Sequence, residues 1–173
     1  MKIILWGYMG TGKTTIGKAL AKTLQYPFFD LDNEIEKNVG LSVSEIFRTK
    51  GELFFRKKEN EILKTILSNN SRFILSLGGG TPMYFNTSKY LNQLDDVLTI
   101  NLSAQVSTLT NRLFSERDKR PLINHCKTKE DLNDFIKKHL FERMQLYHSA
   151  TITINIDDKS INKIVSEIVL QLF

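Results

Sequence analysis

The chain has 173 residues, a formal net charge of +5, 41% hydrophobic and 25% charged residues. That length suits one compact domain with a real core, the balance is ordinary for a soluble globular protein, and no apolar run approaches the length of a membrane span. A lone cysteine, Cys126, excludes an intrachain disulfide and a cysteine-based zinc cluster. The positive balance favours anionic partners, but no aromatic–basic platform of the kind that binds single strands is present, so neither nucleic acid nor a membrane is expected as a partner. The first strand opens at Lys2, which predicts no signal or transit peptide and a cytoplasmic location.

Ile3-Ile4-Leu5-Trp6 reads as a buried strand. Gly7-Tyr8-Met9-Gly10-Thr11-Gly12-Lys13-Thr14-Thr15 comes next and fits G-x-x-x-x-G-K-[ST] without mismatch. Ile16 to Leu24 has its apolar residues at helical spacing. Glycines let backbone N–H groups wrap a phosphate, and the following helix adds its positive end. Lys13 is placed to reach the β- and γ-phosphates and Thr14 to put a hydroxyl on Mg2+. A nucleoside triphosphate with Mg2+ is therefore the expected ligand.

Pro27 ends the helix and Phe28-Phe29 reads as a second strand, with Asp30 and Asp32 at its carboxyl end. Ligands of open α/β sheets bind beyond such ends. Two carboxylates one residue apart on an extended segment point the same way. One can face the metal's water shell and the other a substrate hydroxyl, or one can cap the helix beginning near Asn33. Residues 32 to about 67 read as helical, broken near Gly40 and Gly51. Within them Arg56 and Glu59 are i,i+3 neighbours, so Glu59 can hold the guanidinium for a carboxylate; a surface ion pair is the alternative.

Residues 72–77 read as the third strand and end in Gly78-Gly79-Gly80, which implies a ligand packed on the backbone or a flexible turn. Residues 84–94 read as a helix, 97–102 as the fourth strand and 104–114 as a helix. The basic run from Arg112 to Ile123, with Arg117, Lys119 and Arg120 before Pro121, reads as a flap over phosphates or as a charged loop. Residues 128–148 read as one long helix, 151–156 as the fifth strand and 161–173 as a closing helix. Asp157-Asp158-Lys159-Ser160 is expected to form the turn and cap of that last helix, rather than Asp157 binding a metal. His125, His139 and His148 lack metal-ligand spacing.

The alternation predicts a three-layer α/β/α sandwich with a five-stranded parallel sheet. At this point the motifs together resemble the shikimate kinase family, within the nucleoside-monophosphate-kinase-like P-loop folds. The marks are Gly7–Thr15, Asp30-Leu31-Asp32, Gly51-Glu52 with Phe55-Arg56 and Glu59, Leu77-Gly78-Gly79-Gly80, Arg120-Pro121-Leu122-Ile123, and Arg143 with Tyr147. The resemblance implies a single kinase domain over 1–173, with a substrate-binding segment at about 32–60 and a lid at about 112–124. It implies transfer of the ATP γ-phosphoryl group to the 3-hydroxyl of shikimate, in aromatic amino-acid biosynthesis. Gly10, Thr11, Gly12, Lys13, Thr14, Thr15 and the lid residue Arg120 would hold ATP. Thr14 would bind Mg2+, with Asp30 acting through water. Asp32 would contact the shikimate hydroxyls and serve as base, Arg56 and Arg143 would hold the carboxylate, and Gly78, Gly79 and Gly80 would meet the ring. Lys13, Asp32 and Arg120 are the expected catalytic residues, and a monomer is expected. The competing readings are a kinase for gluconate or a nucleotide on the same fold, and a nucleotide-dependent binding module without transfer activity. The intact Lys13, Asp32 and Arg120 speak against the second.

Overall fold

The computed structural model describes residues 1–172. Five strands form one sheet: β1 (Lys2–Trp6), β2 (Phe28–Asp30), β3 (Phe73–Ser76), β4 (Val97–Ser103) and β5 (Ile152–Asn155). Their order is β2-β3-β1-β4-β5, and every neighbouring pair is parallel. Each lies within a residue or two of the run that predicted it.

Side chains alternate across a strand, and β1 shows what that does here. Ile4 and Trp6 enter one apolar cluster with Phe73, Leu75, Leu109 and Ile136. Ile3 and Leu5 enter the other with Ile74, Ile100, Leu102 and Ile164. A sheet covered on both faces must be apolar on both, which is why β1 and β3 read as unbroken apolar runs. Helices α1 (Lys13–Leu24) and α9 (Ile161–Leu172) cover the second face. The predicted closing residue, Phe173, lies outside the described residues.

The first face is covered by the remaining helices. The stretch after β2 is broken as expected, into α2 (Leu31–Val39), α3 (Val43–Thr49) and α4 (Gly51–Asn69). Gly40 ends α2 with φ 74°, a left-handed cap that suits glycine, and a Ser42–Glu45 capping box starts α3. The expected helix over 84–94 is shorter. A 3-10 turn covers Thr81–Met83, Phe85 and Asn86 take positive φ, and α5 runs only over Thr87–Asn92. Next comes α6 (Val106–Phe114).

The long helix expected over 128–148 is two: α7 (Lys129–Phe141) and α8 (Met144–Tyr147). No Pro or Gly breaks it. Two bonds accompany the break instead: across the fold the Trp6 indole donates to the Tyr147 carbonyl at 3.1 Å, and locally the Arg143 side chain folds back to donate to the His139 carbonyl at 3.0 Å. The segment 157–160 forms the expected turn and cap before α9, the cap being made by Ser160 and not by Asp157. The Asp157 carboxylate accepts from the Gln105 N–H that opens α6, at 2.9 Å, and Ser160 takes the α9 start by accepting from the Lys163 N–H at 3.3 Å. Among the described residues no helix is long and apolar enough to cross a membrane.

Candidate active site

The chain changes direction in the sheet at β1, which lies between β3 and β4, and ligands of such sheets sit beyond the carboxyl ends at that point. A cavity of about 600 Å³ opens there. Gly10, Gly12, Lys13, Thr14, Thr15, Asp30, Asp32, Gly78, Gly79 and Arg120 all line it, so segments from four parts of the chain meet at one place.

The glycine loop after β1 fills its role by close approach. Gly7 has φ 135°, and a Cβ there would lie 2.4 Å from the Leu102 carbonyl oxygen. Gly12 ends the loop, and α1 begins with no side-chain cap. The first N–H groups of that helix are thus available to an anion. Thr11 is an exception among the expected cofactor residues: its hydroxyl turns inward and donates to the Tyr8 carbonyl at 2.8 Å. The Lys13 ammonium lies on the Gly7 and Tyr8 carbonyls, at 2.9 and 3.0 Å. Burial pushes its pKa down to about 8, against the pull of Asp32 and Asp30.

The two aspartates do not share a strand, contrary to the sequence expectation. Asp30 ends β2, and Asp32 lies in the first turn of α2. The capping reading of Asp30 holds. Asp30 accepts from the Thr14 hydroxyl at 2.7 Å and, more weakly, from the Asn33 N–H at 3.5 Å, capping α2. Asp32 is pushed up to about 6, mainly by burial and then by the charges of Asp30 and Glu59. A Cβ on Gly78 would stand 3.2 Å from its Oδ1.

The triple glycine bridges the two halves of the cavity. A Cβ on Gly79 would lie 3.4 Å from the Met9 backbone nitrogen, so this turn rests directly on the phosphate loop. Tyr147 fixes it from the other side, its hydroxyl donating to the Gly79 carbonyl at 2.6 Å. Gly80 abuts Arg56, whose Nη2 would be 2.7 Å from an added Cβ.

Arg56, Gly80 and Arg143 do not line the main cavity. Arg56 is held beyond it by Glu59, as the i,i+3 spacing suggested, at 2.9 and 3.1 Å. Glu59 is only 2% exposed. It also accepts from the Thr81 hydroxyl at 2.7 Å, and burial holds its carboxyl above the usual carboxylate range. Arg143 is 3.8 Å from Glu142 besides its bond to the His139 carbonyl. Arg120 follows a 3-10 turn at Arg117–Lys119 and pairs with Glu116 at 2.6 Å. Glu116, Ser115 and Arg112 complete the wall on that side.

Sequence reasoning missed Glu116 as a partner of Arg120, although i,i+4 spacing could have found it. It also missed Thr81, Tyr84 and the bond from Tyr147 to Gly79. No local pattern marks these, because each contact crosses between elements. Cys126 is buried, and its thiol is pushed up by burial. His139 accepts or donates a hydrogen bond with the Tyr8 hydroxyl at 2.8 Å, and no group of three metal-ligating side chains occurs among the described residues.

The family model described as shikimate kinase matches residues 9–173. A shikimate kinase of Flavobacterium psychrophilum is 49% identical over 172 residues, covering 99% of each chain. Among solved structures, the shikimate kinase of Bacteroides thetaiotaomicron superposes with a TM-score of 0.89 at 33% identity, covering 99% of this chain and 98% of its own. That of Acinetobacter baumannii, in complex with shikimate, gives 0.84 at 30% identity, covering 99% and 92%. The family model and these relatives match the chain along nearly its whole length, and the chain belongs to the shikimate kinase family.

Proposed function

We propose that this protein transfers the γ-phosphoryl group of ATP to the 3-hydroxyl of shikimate, giving shikimate 3-phosphate and ADP. The observation that carries the reading is the meeting of a phosphate cradle, a carboxylate and a glycine turn in one cavity, with Arg56 beside the turn. Such a cavity is of ligand size.

Phosphoryl transfer asks the protein for positioning and for charge neutralisation. The uncapped start of α1 and the Lys13 ammonium receive the phosphates. Arg120 adds a second cation once it exchanges Glu116 for a phosphate oxygen. Asp32 lies beside Gly78 on the acceptor side, where it accepts a hydrogen bond from the reacting hydroxyl and takes its proton. Its raised pKa makes it a better acceptor than an exposed aspartate while leaving it ionised at pH 7. Arg56 and Arg143 hold the carboxylate at the far end, which selects the hydroxyl that faces the phosphate. Gly78, Gly79 and Gly80 let the ring pack on backbone.

The residues present fit Mg2+. The Thr14 hydroxyl and the Asp30 carboxylate are adjacent hard oxygen donors, and the scarcity of protein ligands suits a cation that takes the rest from phosphates and water. When bound there, Mg2+ neutralises charge on the phosphates. A cytoplasmic monomer that binds neither nucleic acid nor membrane completes the reading.

ADP formation from ATP and Mg2+ is the test. Release that depends strongly on shikimate is expected. Equal turnover of gluconate at the same concentration would overturn the substrate assignment, and tight ATP binding without ADP release would favour a binding module.

A further inference from the structure

Arg56 is gripped on more sides than a carboxylate-binding arginine requires. Its side chain is 13% exposed. Nη1 is taken by both Glu59 oxygens, and Nε faces Glu52 Oε1 at 3.5 Å. The third nitrogen, Nη2, has no hydrogen-bond partner among the described residues and lies beside Gly80. The face of the guanidinium is covered by Tyr84, with Cζ 4.1 Å from the ring centre. The Tyr84 hydroxyl donates to Glu52 Oε1 at 2.8 Å, the oxygen that faces Arg56. Tyr84 stands where the chain reverses after the glycine turn. It is extended, and Phe85 and Asn86 after it have φ 52° and 55°, a conformation that a bulky side chain seldom adopts.

These contacts divide the guanidinium by direction. An aromatic ring attracts a cation through its face and uses none of its N–H donors. Glu59 takes one end in the plane. What remains in the plane is the Nη2 end, next to the backbone against which a ring-bearing acid would pack. Glu52 is the natural competitor for that end, being a carboxylate one turn away on α4 and 53% exposed. The Tyr84 hydroxyl keeps its oxygen near Nε.

We infer that Tyr84 is a positioning residue for Arg56: its ring fixes the plane of the guanidinium and its hydroxyl holds Glu52 aside, leaving the Nη2 end to the substrate carboxylate. The inference rests on the carboxylate role proposed above for Arg56.

The experiment compares kcat/KM for shikimate with that for its uncharged carboxamide, and KM for ATP, in wild type, Arg56→Ala, Tyr84→Leu and Tyr84→Phe. Preference for the acid reports the carboxylate contact alone, which a general packing defect would not change. Tyr84→Leu is expected to reduce that preference by about 5- to 20-fold, with KM for ATP within about twofold. Tyr84→Phe keeps the ring. It should reduce the preference about threefold, the range of one weak competing contact, and adding Glu52→Ala should restore it. An unchanged preference in Tyr84→Leu, with the preference reduced in Arg56→Ala, would overturn the role of Tyr84 and leave that of Arg56 standing. A preference as large in Arg56→Ala as in wild type would overturn both. Should Tyr84→Leu not fold, the Tyr84→Phe and Glu52→Ala pair decides: an unaltered preference in Tyr84→Phe rejects the inference.

Discussion

The phosphate end and the acid end of the cavity are built by different means. The proposed phosphate end is one continuous stretch, Gly7 to Thr15, which offers backbone amides, a helix terminus and one lysine. The proposed acid end takes Asp32 and the glycine turn from the cavity wall and Arg56 and Arg143 from beyond it, and several of its parts are held by side-chain partners: Arg56 by Glu59, Glu59 by Thr81, Gly79 by Tyr147. A backbone site resists point substitution except at its glycines and its lysine. A side-chain site spreads the same task over many replaceable parts, and should therefore lose function in steps.

The comparison breaks first at Lys13. Lys13→Ala should lower kcat/KM by about 10²–10³, the usual loss on removing one donor aimed at developing charge, and steady-state kinetics would detect it at once. Retained turnover would move the lysine out of the phosphate site. Asp32→Asn comes next, with kcat lowered by about 10² or more if Asp32 is the base and KM for ATP little changed.

Arg56→Ala and Arg143→Ala sharpen the contrast. Each should raise KM for shikimate about tenfold, in keeping with roughly 1.5–3 kcal/mol for a charged hydrogen bond, and leave KM for ATP alone. Equal effects on both substrates would contradict the division into two ends. Arg143 is the more exacting case, because its guanidinium lies on the His139 carbonyl and away from the cavity wall.

The pH profile reads both ends together. Asp32 must be ionised and Lys13 protonated, with values of about 6 and about 8. A plot of kcat/KM for ATP against pH should be bell-shaped with limbs near those values, which belong to the interacting pair. In kcat the alkaline limb should move up, because bound phosphate favours the ammonium.

The smallest expected effect is on stability. The folded-state value of Asp32 lies above its ordinary 3.8, so its charged form opposes folding. That penalty is absent below about pH 4, grows as the pH rises to about 6 and is complete at pH 7. Asp32→Asn should therefore raise Tm at pH 7 by about 2–5 °C while it destroys activity. A lower Tm would mean that Asp32 supports the fold.

Legibility in the sequence obeys the same division. The loop motif and its flanking apolar runs are local, so β1, the loop and α1 were legible residue by residue. Arg56 with Glu59 was legible because helical spacing makes i,i+3 residues neighbours. The break at Arg143 was not, because the Trp6 bond to the Tyr147 carbonyl joins residues 141 positions apart in the chain. Nor was the placement of Asp32 on a helix rather than a strand: β2 is only three residues long, and Asp30 caps the helix that begins directly after it. At the turn Asn86 is of a type enriched in the left-handed region, a signal the sequence reading passed over, whereas Phe85 gives none.

Leu113 and Ile123 are both fully buried, and the run that carries Arg120 is strung between them. The core therefore sees only the two ends of this arm. Closing a loop a few residues longer costs only a fraction of a kcal/mol, because that cost grows slowly with length. Evolution can thus lengthen, shorten or rewrite the arm as a separate part without re-engineering the interior on which it is mounted.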